Sequence, residues 1–272
     1  MEYDGTDFKG FQRQTRARTV QGELERALER LSGERTMTQG AGRTDAGAHA
    51  AGQVVAFTTG APYTAGTFVR ALNATLPLDI RVRRARDVAL AFDPRRQALS
   101  RVYRYLLLAQ QAPSALWRRF AHQVSAPLDV ARMDEGAEAL VGCHDFRAFC
   151  GRTMNRGRGT VRRMMRAGVG RRGPLVVVEL EADAFLPHQV RRIAGALVRL
   201  GLGKMDVRGF LDLVDGVPGM VAAPSLPARG LILVRVNYDE ELEARVGGGE
   251  TRVPRLARSP GPRGDERVSW LP

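Results

Sequence analysis

The chain has 272 residues, a length that suits one large or two modest domains, and its 42 Lys+Arg against 29 Asp+Glu give a net charge of +13. No uninterrupted apolar run approaches the roughly 18 residues needed to cross a bilayer, so no membrane-spanning helix is expected. Two cysteines, Cys143 and Cys150, exclude a disulfide framework and a four-cysteine zinc site, and the polar start Met1-Glu2-Tyr3-Asp4-Gly5 lacks a signal-peptide pattern, which makes a cytoplasmic location the expectation.

The first predicted helix covers residues 19 to 31, where Val20, Leu24, Leu28 and Leu31 recur at helical spacing behind a Thr19 cap. Val54-Val55-Ala56-Phe57 and the stretch from Ile80 to Val88 read as strands, with a helix around Thr67 to Thr75 between them. A new pattern starts near residue 100. Arg101 to Leu107 alternates as a strand, and Asp129 to Val141 reads as a helix with Leu140 and Val141 turned inward. Leu175 to Glu181 is β-rich. Pro187 suits a first helical turn and opens a helix from Gln189 to Leu200, with Val190, Ile193, Leu197 and Leu200 on one face. Leu231 to Val236 closes the fold as a strand. Mixed order without strict βαβ repetition predicts an α+β fold in two halves, 1–98 and 99–239, that share or abut sheets. The remainder, 240–272, holds Gly247-Gly248-Gly249, six acidic residues and six arginines, and reads as a disordered tail that adds no net charge.

The positive charge therefore belongs to the folded part. Lys9 and Lys204 are the only lysines, so arginine supplies nearly all of it. Its fork bonds phosphate in a bidentate manner, which points to a nucleic-acid partner, although a codon bias accounts for the choice of Arg over Lys equally well. Between 152 and 172, Arg152, Arg156, Arg158, Arg162, Arg163, Arg166, Arg171 and Arg172 occur without one Asp or Glu. Such a run repels itself unless phosphates lie against it; the first five are expected to contact an RNA backbone. Cys143, His144 and Cys150 lie close together but lack zinc-ligand spacing and a fourth ligand, so no metal is expected.

One segment is richer in chemistry than the rest: Gly40-Ala41-Gly42-Arg43-Thr44-Asp45-Ala46-Gly47-Ala48-His49. Three glycines around one Arg and one Asp describe a tight path that brings a carboxylate to the surface beside a cation. By itself this fits an Asp that bonds its own turn as readily as a functional one. However, Gly42 to Gly47, with Tyr3-Asp4-Gly5-Thr6, Gly10-Phe11-Gln12-Arg13-Gln14 and Thr19-Val20-Gln21 upstream, closely resembles the tRNA pseudouridine synthase A family. The resemblance continues through Asn73-Ala74-Thr75-Leu76-Pro77, Arg101 to Tyr105, His144-Asp145-Phe146, Phe185 to Arg191 and Gly230 to Leu233, spanning nearly all of residues 1–238.

The resemblance implies two related α+β domains, each a mixed or antiparallel sheet backed by helices in a ferredoxin-like manner, around a central basic cleft. It implies conversion of uridine to pseudouridine at positions 38, 39 and 40 of the tRNA anticodon stem-loop, by a homodimer that needs no cofactor. Asp45 takes the role of the catalytic carboxylate, a nucleophile at the anomeric carbon or a base at the 2′ hydrogen, and the sequence leaves both routes open. Arg43 resembles the arginine that pairs with that carboxylate and helps evert the base, and Arg191 resembles its salt-bridge partner. Tyr103 is expected to pack on the target base, Leu231 to floor the uracil pocket, Tyr105 to be structural and Arg192 to be a phosphate contact or a plain helix-surface residue. Three departures are visible. No apolar strand leads into Tyr3, so either the start is mis-assigned or the first strand is clipped, and the central sheet loses a strand if it is absent; Gln189 replaces a usual methionine, a packing change; and the tail is particular to this chain. A pseudouridine synthase for another RNA and a non-catalytic RNA-binding protein are the alternatives.

Overall fold

A computed structural model describes residues 1–150, 159–222 and 224–239. The expected tail, and Arg152, Arg156 and Arg158, lie outside the described residues. The first half contributes β1 (Glu2–Tyr3), α1 (Val20–Ser32), β2 (Thr38–Gly40), β3 (His49–Ala50), β4 (Val55–Phe57), α2 (Ala65–Thr75) and β5 (Ile80–Arg81). Helix α1 begins where its cap predicts: the Thr19 hydroxyl accepts the Gly22 N–H at 3.2 Å, and Gly33, at φ 74°, closes the other end on the Glu29 carbonyl. The strand expected over 80–88 stops at Arg81. Its neighbour β1 is two residues long, and the next residue, Val82, is already held through both backbone groups by the Asn73 carboxamide at 2.8 Å. Beyond it the chain runs through exposed Arg83, Arg84 and Arg86 outside any strand.

The second half contributes β6 (Ser100–Ala109), β7 (His122–Val124), α3 (Val130–Glu138), β8 (Gly142–Asp145), β9 (Val161–Arg172), β10 (Leu175–Ala182), α4 (Gln189–Gly201), α5 (Val207–Val214) and β11 (Leu231–Asn237). The arginine run thus includes a twelve-residue strand, β9, which period-two reading misses for a specific reason. Its buried residues, Met164 and Val169, are five apart, an odd spacing made possible by a bulge: Glu181 pairs with Arg166 but Ala182 pairs with Met164, so one residue of β9 is left over. Pro187 lies before the helix rather than in its first turn, because the N-cap of α4 is His188.

Nine strands form one sheet in the order β5-β1-β3-β11-β6-β10-β9-β8, with β7 added in parallel to β6; β2 and β4 form a separate antiparallel ribbon. Strand β11 is the seam between the halves. It runs parallel to β3, with Leu233 opposite Ala50, and antiparallel to β6, with Leu231 opposite Tyr105 and Leu233 opposite Tyr103. Cross-strand partners share a face. The rows Leu233-Tyr103-Leu180 and Leu231-Tyr105-Val178 therefore form a continuous apolar floor; α4 packs against β6, and its Ile193, Leu197 and Leu200 are fully buried. Helix α3 lies along β9 and against α4, and α5 packs on both helices. The opposite face carries an Arg104–Glu179 ion pair at 2.6 Å.

Although short, β1 is fixed between β5 and β3, and immediately after it Gly5 crosses the start of β3 at a distance only glycine tolerates. A Cβ built there would lie 1.8 Å from the Ala48 carbonyl oxygen, backbone against backbone. Gly5→Ala is expected to cost at least about 3 kcal/mol, since neither chain can yield without moving β3. Thermal unfolding should show a midpoint lowered by about 6 °C or more; an unchanged midpoint would mean the crossing is soft.

Candidate active site

Residues 41–48 link β2 to β3 and carry Asp45. Much of their path is held by the glycine-rich and aromatic segments near the start of the chain. The Phe11 N–H bonds the Thr44 carbonyl at 3.1 Å and the Gly47 N–H bonds the Phe8 carbonyl at 3.2 Å. Gly10, at φ 96°, passes so near that a Cβ would sit 2.9 Å from the Thr44 oxygen. From below, the buried Tyr3 hydroxyl shares a 2.8 Å hydrogen bond with the Thr44 hydroxyl, while the Gln53 carboxamide donates to Tyr3 Oη and to the Gly42 carbonyl. Burial pushes the Tyr3 hydroxyl up to about 12, so it stays a neutral hydrogen-bonding post. The scattered motifs are thus one cradle around Asp45.

The other wall is the start of α4. Arg191 Nη1 donates to Asp45 Oδ2 at 2.7 Å, its Nε donates to the Leu226 carbonyl at 2.6 Å, and His188 Nδ1 lies 3.1 Å from the same Oδ2. Residues three apart on a helix share a face, which is how both reach one carboxylate. The Asp45 side chain is about a quarter exposed, open enough to meet a substrate. The expected Arg43–Asp45 pair does not form. The chain turns the carboxylate inward to α4 and leaves Arg43 exposed, without an ion pair or hydrogen bond among the described residues.

Tyr103 lies beneath the same segment. Its hydroxyl sits near Gly42, where a Cβ would come within 3.5 Å of it, and its ring meets Phe185 edge-on at 5.1 Å. Burial holds its hydroxyl far above the ordinary tyrosine range, a shift that Tyr3 and Asp45 reinforce. Leu231 is buried one pair further along, opposite Tyr105, whose hydroxyl donates to the Pro227 carbonyl. Arg162 and Arg163 sit on β9, away from Asp45 in the sheet order; Arg162 is folded onto the Gly159 and Val161 carbonyls, whereas Arg163 is exposed. Arg192 is half-buried, and its Nε has no hydrogen-bond partner among the described residues. Gln189 does more than pack: its Oε1 accepts the Leu186 N–H at 2.7 Å and so fixes the turn into α4.

Sequence reasoning missed three residues that hold the site. Gln53 carries no motif signal. Arg101, buried and already visible in the Arg-x-Tyr-x-Tyr pattern, donates to the Ala41 and Asp183 carbonyls and thereby ties the Asp45 segment to the turn before α4. His188 was legible as part of the Phe185 to Arg191 motif, but only the structure places it on the carboxylate. Among the described residues no cluster of three His, Cys, Asp or Glu could hold a metal.

The chain matches the tRNA pseudouridine synthase family over residues 1–95 and 137–239, the segments that hold Asp45 and Arg191. It is 39% identical over 241 residues to a tRNA pseudouridine synthase A of Syntrophomonas wolfei, covering 89% of this chain and 96% of the relative. It is 41% identical over 266 residues to that of Roseiflexus castenholzii, covering 93% and 97%, and 40% identical over 240 residues to that of Moorella thermoacetica, covering 88% and 97%.

His49, at the end of the Asp45 segment, sets a pH limit on the site's integrity. Its Nδ1 accepts the Gly5 N–H at 3.0 Å and its Nε2 donates to the Arg119 and Arg229 carbonyls, so the ring is neutral. The 3.2 Å approach of Asp4 Oδ1 becomes an ion pair only on protonation. Burial, the largest influence, keeps its pKa below the ordinary 6.5 despite Asp4. Below that pH the unfolded chain takes up a proton that the folded chain refuses, so stability falls as pH drops and is retained above it. Urea midpoints between pH 7.5 and 5.5 should decline, and His49→Gln should flatten part of the decline; an unaltered slope would remove His49 as its cause.

Proposed function

The chain belongs to the tRNA pseudouridine synthase family, and from that premise we propose that it isomerises uridine in tRNA to pseudouridine with Asp45 as the catalytic carboxylate. The observation that carries this reading is a partly exposed carboxylate, cradled by the family's own motifs and gripped from α4 by Arg191. The reaction breaks the bond between uracil N1 and ribose C1′, turns the base and forms a bond from C5 to C1′, with the C5 proton leaving last. Nothing is oxidised or reduced. Asp45 serves either by attacking C1′ or by taking the 2′ hydrogen, and both need the carboxylate held against the nucleoside rather than free to rotate.

The remaining roles follow from position. Tyr103 contributes an aromatic face at the floor of the site and, with its hydroxyl kept protonated by burial, no phenolate. A base reaches that face when Phe185 swings aside. Leu231 supplies the apolar floor beyond it. Exposed Arg43, beside Asp45 but not bound to it, takes a backbone phosphate of the everted nucleotide, and Arg163 takes one further off. Arg162, folded onto the Gly159 and Val161 carbonyls, joins only after releasing them. The anticodon stem-loop, with uridines 38 to 40, is the tRNA region we assign, read by shape and phosphates more than by base edges. A homodimer acting in the cytoplasm completes the reading.

Loss of the C5 hydrogen gives a direct assay. Tritium from [5-³H]uracil-labelled tRNA should appear in water with the native chain, in chelator-containing buffer, and Asp45→Asn should slow release by at least about a thousandfold. Binding without release from either protein would reduce the chain to an RNA-binding protein. In a separate titration, Arg43→Ala should weaken tRNA binding and lower the slope of log affinity against log salt by about one contact; an unchanged slope would deny Arg43 its phosphate.

A further inference from the structure

We propose that His188 is a positioning residue that locks the Asp45 carboxylate by its Oδ2 and leaves Oδ1 as the oxygen that meets the nucleoside. The inference rests on the reading of Asp45 as the catalytic carboxylate. Three close contacts meet at one point: His188 Nδ1 to Asp45 Oδ2 at 3.1 Å, Arg191 Nη1 to the same Oδ2 at 2.7 Å, and Arg191 Nη1 to His188 Nδ1 at 3.1 Å. They cannot all be hydrogen bonds at once. A guanidinium only donates, so a bond from Arg191 to the ring requires a lone pair on Nδ1, and that lone pair would then face a carboxylate oxygen. Electrostatics decides between the two. Arg191 is already satisfied by Oδ2, and an Nδ1–H aimed at Oδ2 turns a repulsive contact into a charge-assisted bond. Nδ1 therefore carries the hydrogen, whether the ring is neutral or charged.

Two donors then converge on Oδ2, while Oδ1 has no hydrogen-bond partner among the described residues. Rotation about Cβ–Cγ would break both bonds, so the carboxylate has one orientation and one free oxygen. For a group that must either attack C1′ or take the 2′ hydrogen, that fixed orientation is what proximity requires. The backbone carries an independent sign of the same role. His188 sits at φ 63°, the only non-glycine at positive φ among the described residues, and as the N-cap of α4 it makes no capping bond with its side chain. A residue with a Cβ held in this region, where glycine would be relaxed, fits a position retained for what its side chain does.

The left-handed backbone also makes the test clean. Asparagine and glycine both tolerate αL, and Asn Nδ2 occupies the place of His Nδ1, so His188→Asn keeps the donor and His188→Gly removes it with the fold intact. In single-turnover tritium release, His188→Asn should stay within about threefold of the native rate, and His188→Gly should fall about thirtyfold with tRNA affinity unchanged and a thermal midpoint unchanged or raised. A His188→Gly protein at the native rate, or a His188→Asn protein as slow as His188→Gly, would overturn the proposal. Long-range ¹H–¹⁵N spectra offer a second arm: the signals absent from His188→Asn should report a protonated Nδ1, and a bare Nδ1 would overturn it as well. Asp45→Asn run alongside separates the two readings. Release retained by Asp45→Asn sinks the catalytic assignment itself, whereas an inactive Asp45→Asn beside a full-rate His188→Gly sinks only the positioning role.

Discussion

The ion pair between Asp45 and Arg191 joins positions 146 residues apart, at a distance of 2.7 Å, and most of the architecture serves to make that meeting possible. Neither partner can travel far. Asp45 is fixed by a segment clamped to Phe8, Phe11 and Tyr3, and Arg191 by a helix packed onto β6 and α3. What brings the two supports together is β11, which pairs with β3 from the first half and β6 from the second. A strand from the end of the fold thus sets the width of the site, and a slip of one residue in its pairing would turn Leu231 and Leu233 to the opposite face.

Buried polar groups do the fine positioning. Arg101 donates to carbonyls on both sides of the site, and His49 joins Gly5 to the carbonyls of Arg119 and Arg229. Such groups contribute modestly to stability while satisfied and cost a great deal if a partner is lost, so they favour a single arrangement of the loops. The tyrosines fit this pattern too. Tyr3 and Tyr103 lie under the Asp45 segment with hydroxyls that burial keeps neutral, which avoids a second negative charge beside the carboxylate.

Charge is distributed differently from chemistry. Arg191 is half-buried against its partner, while Arg43 and Arg163 are exposed and make no ion pair among the described residues. The exposed arginines and the groups that hold the Asp45 carboxylate are thus separate residues.

What the sequence by itself determined was local or cumulative: α1 with its Thr19 cap, the amphipathic face of α4, the alternating strands β6, β10 and β11, the polyanion preference and the membership carried by ordered motifs. Each rests on neighbours within a few positions or on sums over the chain, which need no knowledge of what lies across the fold. Only the tertiary structure decided the rest. Whether Ile80 to Val88 continues as a strand depends on how long its partner β1 is. Whether β9 exists depends on a bulge that breaks its alternation. Which cation holds Asp45 depends on which way the loop turns the carboxylate: the nearest arginine in sequence, Arg43, makes no bond to it, while His188 and Arg191 reach it from the start of α4. These outcomes are set by pairings across the fold, from the β9–β10 bulge to the contact between Asp45 and Arg191, 146 positions apart, and no local pattern encodes who the partner will be.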